Sequence, residues 1–343
     1  MAGVVLAVES WPFDDPAGIR WVANSDVGIR RSQMFVDDHV RDNALMNVPP
    51  LGEHTYQMHP NAPPSMPWEE YERRVTVEWA ALLNSAEGRE ERRVHDFLVQ
   101  HPSLVPGAYS MTGPSGHSPF PSALLSESPL TGIGVKIPDF IWLASDSTNF
   151  TPVFIEIESP AKRWFTQAEV PTSQLTQAIN QLAQWQAWLN QAANVAVFYD
   201  AFEVPEMFRR YHTFRPEFVL IYGRRFEFEE RPQLRRLRQQ FEHHGQVVMT
   251  FDRLAPASDC QHYVTATKRG GRYRALAVPP TLRLGPGPAE DFSLIEAIPE
   301  SVRANEWMTP ERRTFLIERL PYWTDWARSG RRGTISSLDA FGE

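Results

Sequence analysis

A chain of 343 residues, 42% of them hydrophobic, is long enough for one large or two modest domains and can fill at least one substantial core. Its net charge of -8 excludes a protein that coats nucleic acid through bulk positive charge, and its single cysteine, Cys260, excludes an internal disulfide and a cysteine zinc cluster. No apolar run approaches the roughly 20 residues that span a bilayer, and MAGVVLAVESWPFDD has no basic segment ahead of its short apolar stretch, so the expectation is a soluble, cytoplasmic protein without membrane contact.

Residues 1–70 carry scattered Pro, Asp and Asn and end in PPLGEHTYQMHPNAPPSMP, which reads as an N-terminal module followed by an extended Pro-rich linker. The weak alternation of Ile19-Arg20-Trp21-Val22 suits either a small β-rich module or a segment packed on a partner chain. From 68 to 101 the period is helical, with Val77, Trp79, Leu82 and Leu83 in one stretch and Val94, Phe97 and Leu98 in a second, and Pro102 ends it. A Ser/Gly/Pro-rich loop follows to about residue 129, with one strand expected near 104–113. The period then changes to two in IPDFIWLAS and again in TPVFIEIES, and the DSTN between them predicts an antiparallel hairpin.

Thr172 is the expected N-cap of a helix running to about 194, with Leu175, Ile179, Leu182, Trp185 and Leu189 on its inner face. Strands are expected at 194–198, 217–222 and 246–251, with a basic helix at 232–244 before the last. The elements predict an α/β fold in which a mixed central sheet is flanked by helices. A main domain at 71–275 would lie between the N-terminal segment and a C-terminal part at 276–343. That part has a Pro-rich stretch and a helical tail starting at Thr309-Pro310-Glu311. Trp323 and Trp326 in the tail suit either a subunit interface or an anchor onto the chain's own core.

Only three of the 34 basic residues are lysines: Lys136, Lys162 and Lys268. Two of them flank an acidic constellation. Pro138-Asp139 opens one strand of the hairpin, and Glu156-Ile157-Glu158 ends the other. Alternation on a strand would place Glu156 and Glu158 on one face about 7 Å apart. Asp139 would lie beside them, making a hard oxygen site suited to Mg²⁺ (or Mn²⁺) of the kind that assists phosphodiester hydrolysis. Lys162, beyond Pro160, would supply an ammonium. Gln181, from a polar stripe with Gln174, Gln177 and Gln184, would position water or a phosphate. Paired glutamates on a strand are more often a solvent-exposed sheet face, and only the ordered combination points to chemistry. A locally basic stretch at 205–273, thirteen Arg or Lys against eight Asp or Glu, offers phosphate contacts from Arg224, Arg225, Arg235, Arg236 and Arg238.

The strings IPDF, FIEIESPAKRWF and LTQAINQLAQW resemble the PD-(D/E)xK nuclease superfamily and, within it, the Shedu anti-phage defence proteins. FVLIYGRR at 218–225 and VVMTFDRL at 247–254 resemble later segments of the same family, so the likeness covers about 80–255. The resemblance implies a restriction-endonuclease-like core and a Mg²⁺-dependent endonuclease acting on phage DNA as a homo-oligomer, a tetramer. It implies Asp139 and Glu156 as metal ligands, Glu91 in EERRVHDFLVQHPSLV as an accessory carboxylate, and Gln181 as the helix glutamine. One position departs from the pattern: the lysine usual two residues after the motif's Glu is here Glu158. Lys162, or next to it Lys136, supplies the ammonium, or Glu158 is an extra ligand, or the chain cleaves poorly. The competing reading is a DNA-binding or sensing module with a degenerate nuclease site, and a weaker third is a structural oligomerisation protein.

Overall fold

A computed structural model describes residues 56–112, 116–130, 137–229, 231–243, 245–330 and 340–343. Most of the expected N-terminal module, and Lys136, lie outside the described residues.

Two helices come first, α1 (Trp68–Asn84) and α2 (Glu91–Gln100). Three strands follow, β1 (Ala123–Ser126), β2 (Phe140–Ser145) and β3 (Asn149–Ile157). The β2–β3 connection is the expected antiparallel hairpin, with Phe140 opposite Ile155 and Ser145 opposite Phe150. Its turn is an Asx turn in which Asp146 Oδ1 accepts the backbone N–H groups of Thr148 and Asn149, each at 2.7 Å. Three helices come next, α3 (Ser173–Leu189), α4 (Ala192–Ala201) and α5 (Glu206–Tyr211). Then come β4 (Thr213–Phe214), β5 (Glu217–Ile221), α6 (Pro232–Gln239) and β6 (Gln246–Met249).

Among the described residues the sheet is mixed and nine-stranded, in the order β6-β5-β3-β2-β1-β7 (Val264–Arg269)-β8 (Arg272–Ala277)-β9 (Ile295–Glu296) with β4 paired to β3. β7 and β8 form a hairpin through Gly270 and Gly271, both at positive φ, and β7 runs parallel to β1. After α7 (Ala289–Leu294) and the two-residue β9 come α8 (Ile298–Ala304) and α9 (Pro310–Arg328). The sheet therefore runs without a break past residue 275.

β3 is covered on both sides, and its side chains sort by parity. Phe150 and Phe154 join the core under α3, α4 and α9, which includes Leu182, Trp185 and Trp323. Val153, Ile155 and Ile157 join the core under α1 and α2, which includes Val75, Trp79 and Leu98. The architecture is the expected α/β one, a mixed sheet flanked by helices.

Two expectations are corrected. Residues 194–198 lie inside α4 instead of forming a strand. The run Asn-Val-Ala-Val-Phe suits either state, and what decides is Asn194, whose side chain donates to Trp188 O (2.9 Å) at the end of α3, together with the helix-favouring alanines 192, 193 and 196. Residues 104–112 form turns, residue 113 lies outside the described residues, and the strand that joins the sheet there is β1. Its four residues are all buried, so the alternation that marks a half-exposed strand is absent. The tail is part of the core: Trp323 and Trp326 pack around Tyr56 at centroid distances of 5.8 and 6.1 Å, so they anchor it. No helix among the described residues is long and apolar enough to cross a membrane.

Candidate functional site

The register that sets Phe140 opposite Ile155 puts Asp139 across from Glu156 at the open end of the hairpin. Asp139 Oδ2 accepts the backbone N–H of Ile157 at 2.8 Å, which fixes the carboxylate against the neighbouring strand. Glu156 has the parity of Phe154 and faces α3, where Gln181 Nε2 donates to its Oε1. Its other oxygen, Oε2, is sealed from solvent without a hydrogen-bond partner among the described residues. Burial raises the pKa of both carboxyls. Asp139 adds to the rise at Glu156, as does Glu158, and Glu91, Glu127 and Glu158 add to it at Asp139. Two carboxyls pressed together out of water resist ionising together, and a cation relieves that conflict.

Glu158 follows the last residue of β3, and its N–H donates to Ile221 O at 3.0 Å. Its carboxylate has different neighbours from Glu156: it pairs with the Lys162 ammonium, which lies 3.9 Å from Glu91 Oε2 at the start of α2. A tight turn brings Lys162 back. Ser159 Oγ donates to Arg89 O (2.6 Å) and accepts from Ala161 N (3.1 Å), and Lys162 N donates to Ser159 O (3.0 Å). Burial pulls the Lys162 ammonium down, but Glu158 and Glu91 outweigh it, so the net direction is up and the group stays charged. Burial raises Glu91, and the nearness of Glu158 raises it further.

Gly223 explains the glycine of FVLIYGRR. It sits at φ +56°, and a Cβ there would lie 2.7 Å from Lys162 O and 2.8 Å from Trp164 Nε1, so only glycine lets this turn pack so closely. Glu227 holds the far side of the turn by accepting from Trp164 N (3.0 Å) and Phe165 N (2.9 Å).

Thr172 caps α3 as expected, its side chain accepting from Leu175 N at 3.2 Å. Along α3, Ser173, Thr176, Gln177, Asn180, Gln181 and Gln184 line an open groove of about 640 Å³, closed by Ile137 and Trp185. Gln181 thus belongs both to the groove and to Glu156. Gln174 does not line it.

The arginines separate into engaged and free. Arg224 Nε donates to Asp252 Oδ1 (2.8 Å), and its guanidinium also reaches Leu83 O and Asn84 at the end of α1. Arg225 N donates to Asp252 Oδ2 at 2.6 Å. The Asp of VVMTFDRL is therefore a clamp for the Arg pair of FVLIYGRR. Arg235 donates to Phe228 O (3.0 Å) and Arg238 to Val248 O (3.4 Å), whereas Arg236 is exposed with no partner among the described residues.

Two neighbours of the site were not anticipated. Glu127, at φ +43°, donates its N–H to Asp139 O (3.0 Å) and has Arg92 3.4 Å from its carboxylate. His95, buried, stacks on Phe140 with centroids 4.7 Å apart. Glu127 carries no motif signal, since it owes its place to β1, the strand hidden in the loop, and His95 lies on α2 with its Nε2 3.3 Å from Ser126 Oγ of β1.

No group of three or more His, Cys, Asp or Glu among the described residues is arranged to hold a metal ion. The donor set that does fit one is smaller. It comprises two adjacent buried carboxylates, one with an unbonded oxygen, which suits Mg²⁺ because that ion takes one or two carboxylates and completes its shell with water and substrate oxygens. Residues 88–255 match the family model described as Shedu protein SduA, C-terminal. No curated protein matches the chain.

Proposed function

Residues 88–255 place this chain in the Shedu family, and from that premise we propose that it acts in anti-phage defence as a Mg²⁺- or Mn²⁺-dependent DNA endonuclease, with Asp139 and Glu156 holding the ion. The observation that carries the reading is the Glu156 carboxylate, buried beside Asp139 with Oε2 unbonded. A structural role leaves that arrangement unexplained, since an unpaired buried carboxylate destabilises the fold.

When bound, the ion would polarise a phosphoryl oxygen, acidify a water and stabilise the leaving oxygen. The residues of the chain hold and orient. The Ile157 N–H fixes Asp139, and Gln181 fixes Glu156, so neither carboxylate needs to reorganise. Lys162, kept charged by Glu158, offers a positive group against the charge that builds on the phosphate during cleavage. Glu91 is an accessory acid that shares this ammonium. The order Asp139, Glu156, then an ammonium supports a PD-(D/E)xK assignment, with the lysine supplied from the turn after the strand. Phosphate contacts fall first to Arg236, the free member of the arginine set, and the same premise extends to a homo-oligomer, a tetramer.

A second reading, a DNA-binding or sensing module with a degenerate site, is favoured by Glu158, which stands in the usual lysine position and neutralises Lys162. Incubation with supercoiled and linear DNA in Mg²⁺ or Mn²⁺ separates the two. Ends released by the wild type, and lost at least about 100-fold in Glu156→Gln, support the nuclease. A wild type that binds DNA in its intact oligomer and releases none with either ion supports the sensor.

A further inference from the structure

α3 carries no charged side chain in any of its 17 residues, in a chain where 22% of residues are charged. An exposed helix face is ordinarily solvated by Lys, Glu and Arg. Here Ser173, Thr176, Gln177, Asn180 and Gln184 are exposed and share one stripe, spaced three and four apart. The Gln177 and Asn180 amides make no hydrogen bond among the described residues, although each holds two donors and an acceptor with two lone pairs.

The chemistry of this lining narrows its ligand. A surface that tracks a phosphate backbone is built from Arg and Lys, because the attraction is electrostatic. Among the described residues the groove lining has neither, and its link to the candidate centre is the amide of Gln181, not a cation. Amides and hydroxyls instead match the mixed donor and acceptor edges of nucleobases, and an Asn or Gln amide pairs in two places with adenine N6 and N7. The groove is also tied to the carboxylate centre, since Gln181 lines it and donates to Glu156. A nucleotide lying in it is one side chain away from the reacting phosphate.

We propose that the amide stripe of α3 reads base edges of the DNA beside the scissile phosphate, with Gln177 and Asn180 as specificity-determining residues. This rests on the nuclease reading for the position of the cut, but not for the binding of bases.

The test uses a duplex library with randomised sequence and the full-length protein, comparing the wild type with Gln177→Ala, Asn180→Ala and the double variant. With Mg²⁺, the bases flanking the recovered ends are counted. The expected result is a base preference in the wild type that falls about tenfold in the double variant. The distribution is independent of total yield, so a variant that is merely less stable lowers all ends alike and leaves it unchanged. An unchanged distribution in the double variant, or a wild type indifferent to base, overturns the proposal. If the wild type releases no ends, the same library is bound and recovered. Base enrichment that the double variant loses then supports the groove while sinking the nuclease reading, and absence of enrichment sinks the groove.

Discussion

Glu343 and Glu156 both carry carboxylate oxygens withdrawn from solvent, and the chain answers each differently. Glu343 is met by the Arg312 guanidinium, itself 1% exposed, through both Nη1 and Nη2. Arg312 further donates to Pro63 O (2.7 Å) and Leu282 O (2.6 Å), and Glu343 accepts from Leu284 N (3.2 Å). The pair thus ties the N-terminal side of α9 to the segments around 63, 282 and 343. Glu156 receives one neutral amide and a second acid for a neighbour, with no cation in contact among the described residues. A charge buried for structure is given its counter-charge by the fold, whereas under the proposed nuclease role Glu156 would take its counter-charge from a divalent ion.

Breaking each site therefore has opposite consequences for stability. Arg312→Met strands Glu343 in the core and should lower unfolding free energy by about 3–5 kcal/mol. At pH 8 the metal-free fold holds Glu156 protonated while the unfolded chain ionises it, so Glu156→Gln, an amide of the same shape, removes that cost and should stabilise the metal-free protein by about 1–3 kcal/mol. Urea unfolding of both variants at pH 8 with chelator measures the contrast. A Glu156→Gln protein that is weaker than wild type would mean that the carboxylate is already satisfied, and the metal argument would lose its footing.

The sequence reveals a feature where one residue type has one use. Thr172 and Thr309 were legible as caps because a hydroxyl before a periodic apolar run has few other roles, and both accept the expected N–H bond. The hairpin that sets Asp139 against Glu156 was legible from alternation and the DSTN turn. β1 was not, because a strand buried on both faces carries no alternation. The β7–β8 hairpin has its signal in Gly270-Gly271 between Lys268-Arg269 and Arg272-Tyr273, a turn dipeptide without the long apolar alternation that marks β2 and β3. Arg224 and Arg225 show the limit of reading charge along a chain: their positive character is plain, but Asp252, which binds both, is some 27 residues away and declares itself only in the fold. Gln181 was placed correctly on the polar face of α3, while its bond to Glu156 needed the register of two strands and a helix at once.

The same contrast has a pH signature. Asp139 and Glu156 have folded pKa values raised above their unfolded values of about 4, so between those limits the folded state holds more protons than the unfolded one. Their contribution to stability is full below about pH 4 and is lost as pH rises through the raised folded values. A divalent ion competes with those protons. Mg²⁺ should therefore raise the thermal midpoint at pH 8, by about 2–4 °C for roughly 1 kcal/mol of linkage, and change little at pH 5. In Glu156→Gln the pH 8 increment should shrink toward zero. An equal Mg²⁺ shift at both pH values would assign the ion to some other place on the surface.

The last contrast lies at the rim, where Glu158 behaves like Glu343 in having a cation and like Glu156 in lying beside the candidate centre. If Glu158 serves to hold Lys162, then Lys162→Met should slow DNA cleavage on the order of 100-fold and Glu158→Gln about 10-fold. The double variant should then be no slower than Lys162→Met alone, because removing the holder costs nothing once the held group is gone. The coupling that this non-additivity expresses is one factor of ten, about 1.4 kcal/mol. If Glu158 instead ligates the ion directly, its loss adds to that of Lys162 and also raises the Mg²⁺ concentration needed for half-maximal rate. Cleavage rates of the three variants across a Mg²⁺ titration thus assign the residue that replaced the expected lysine to one side of the comparison or the other.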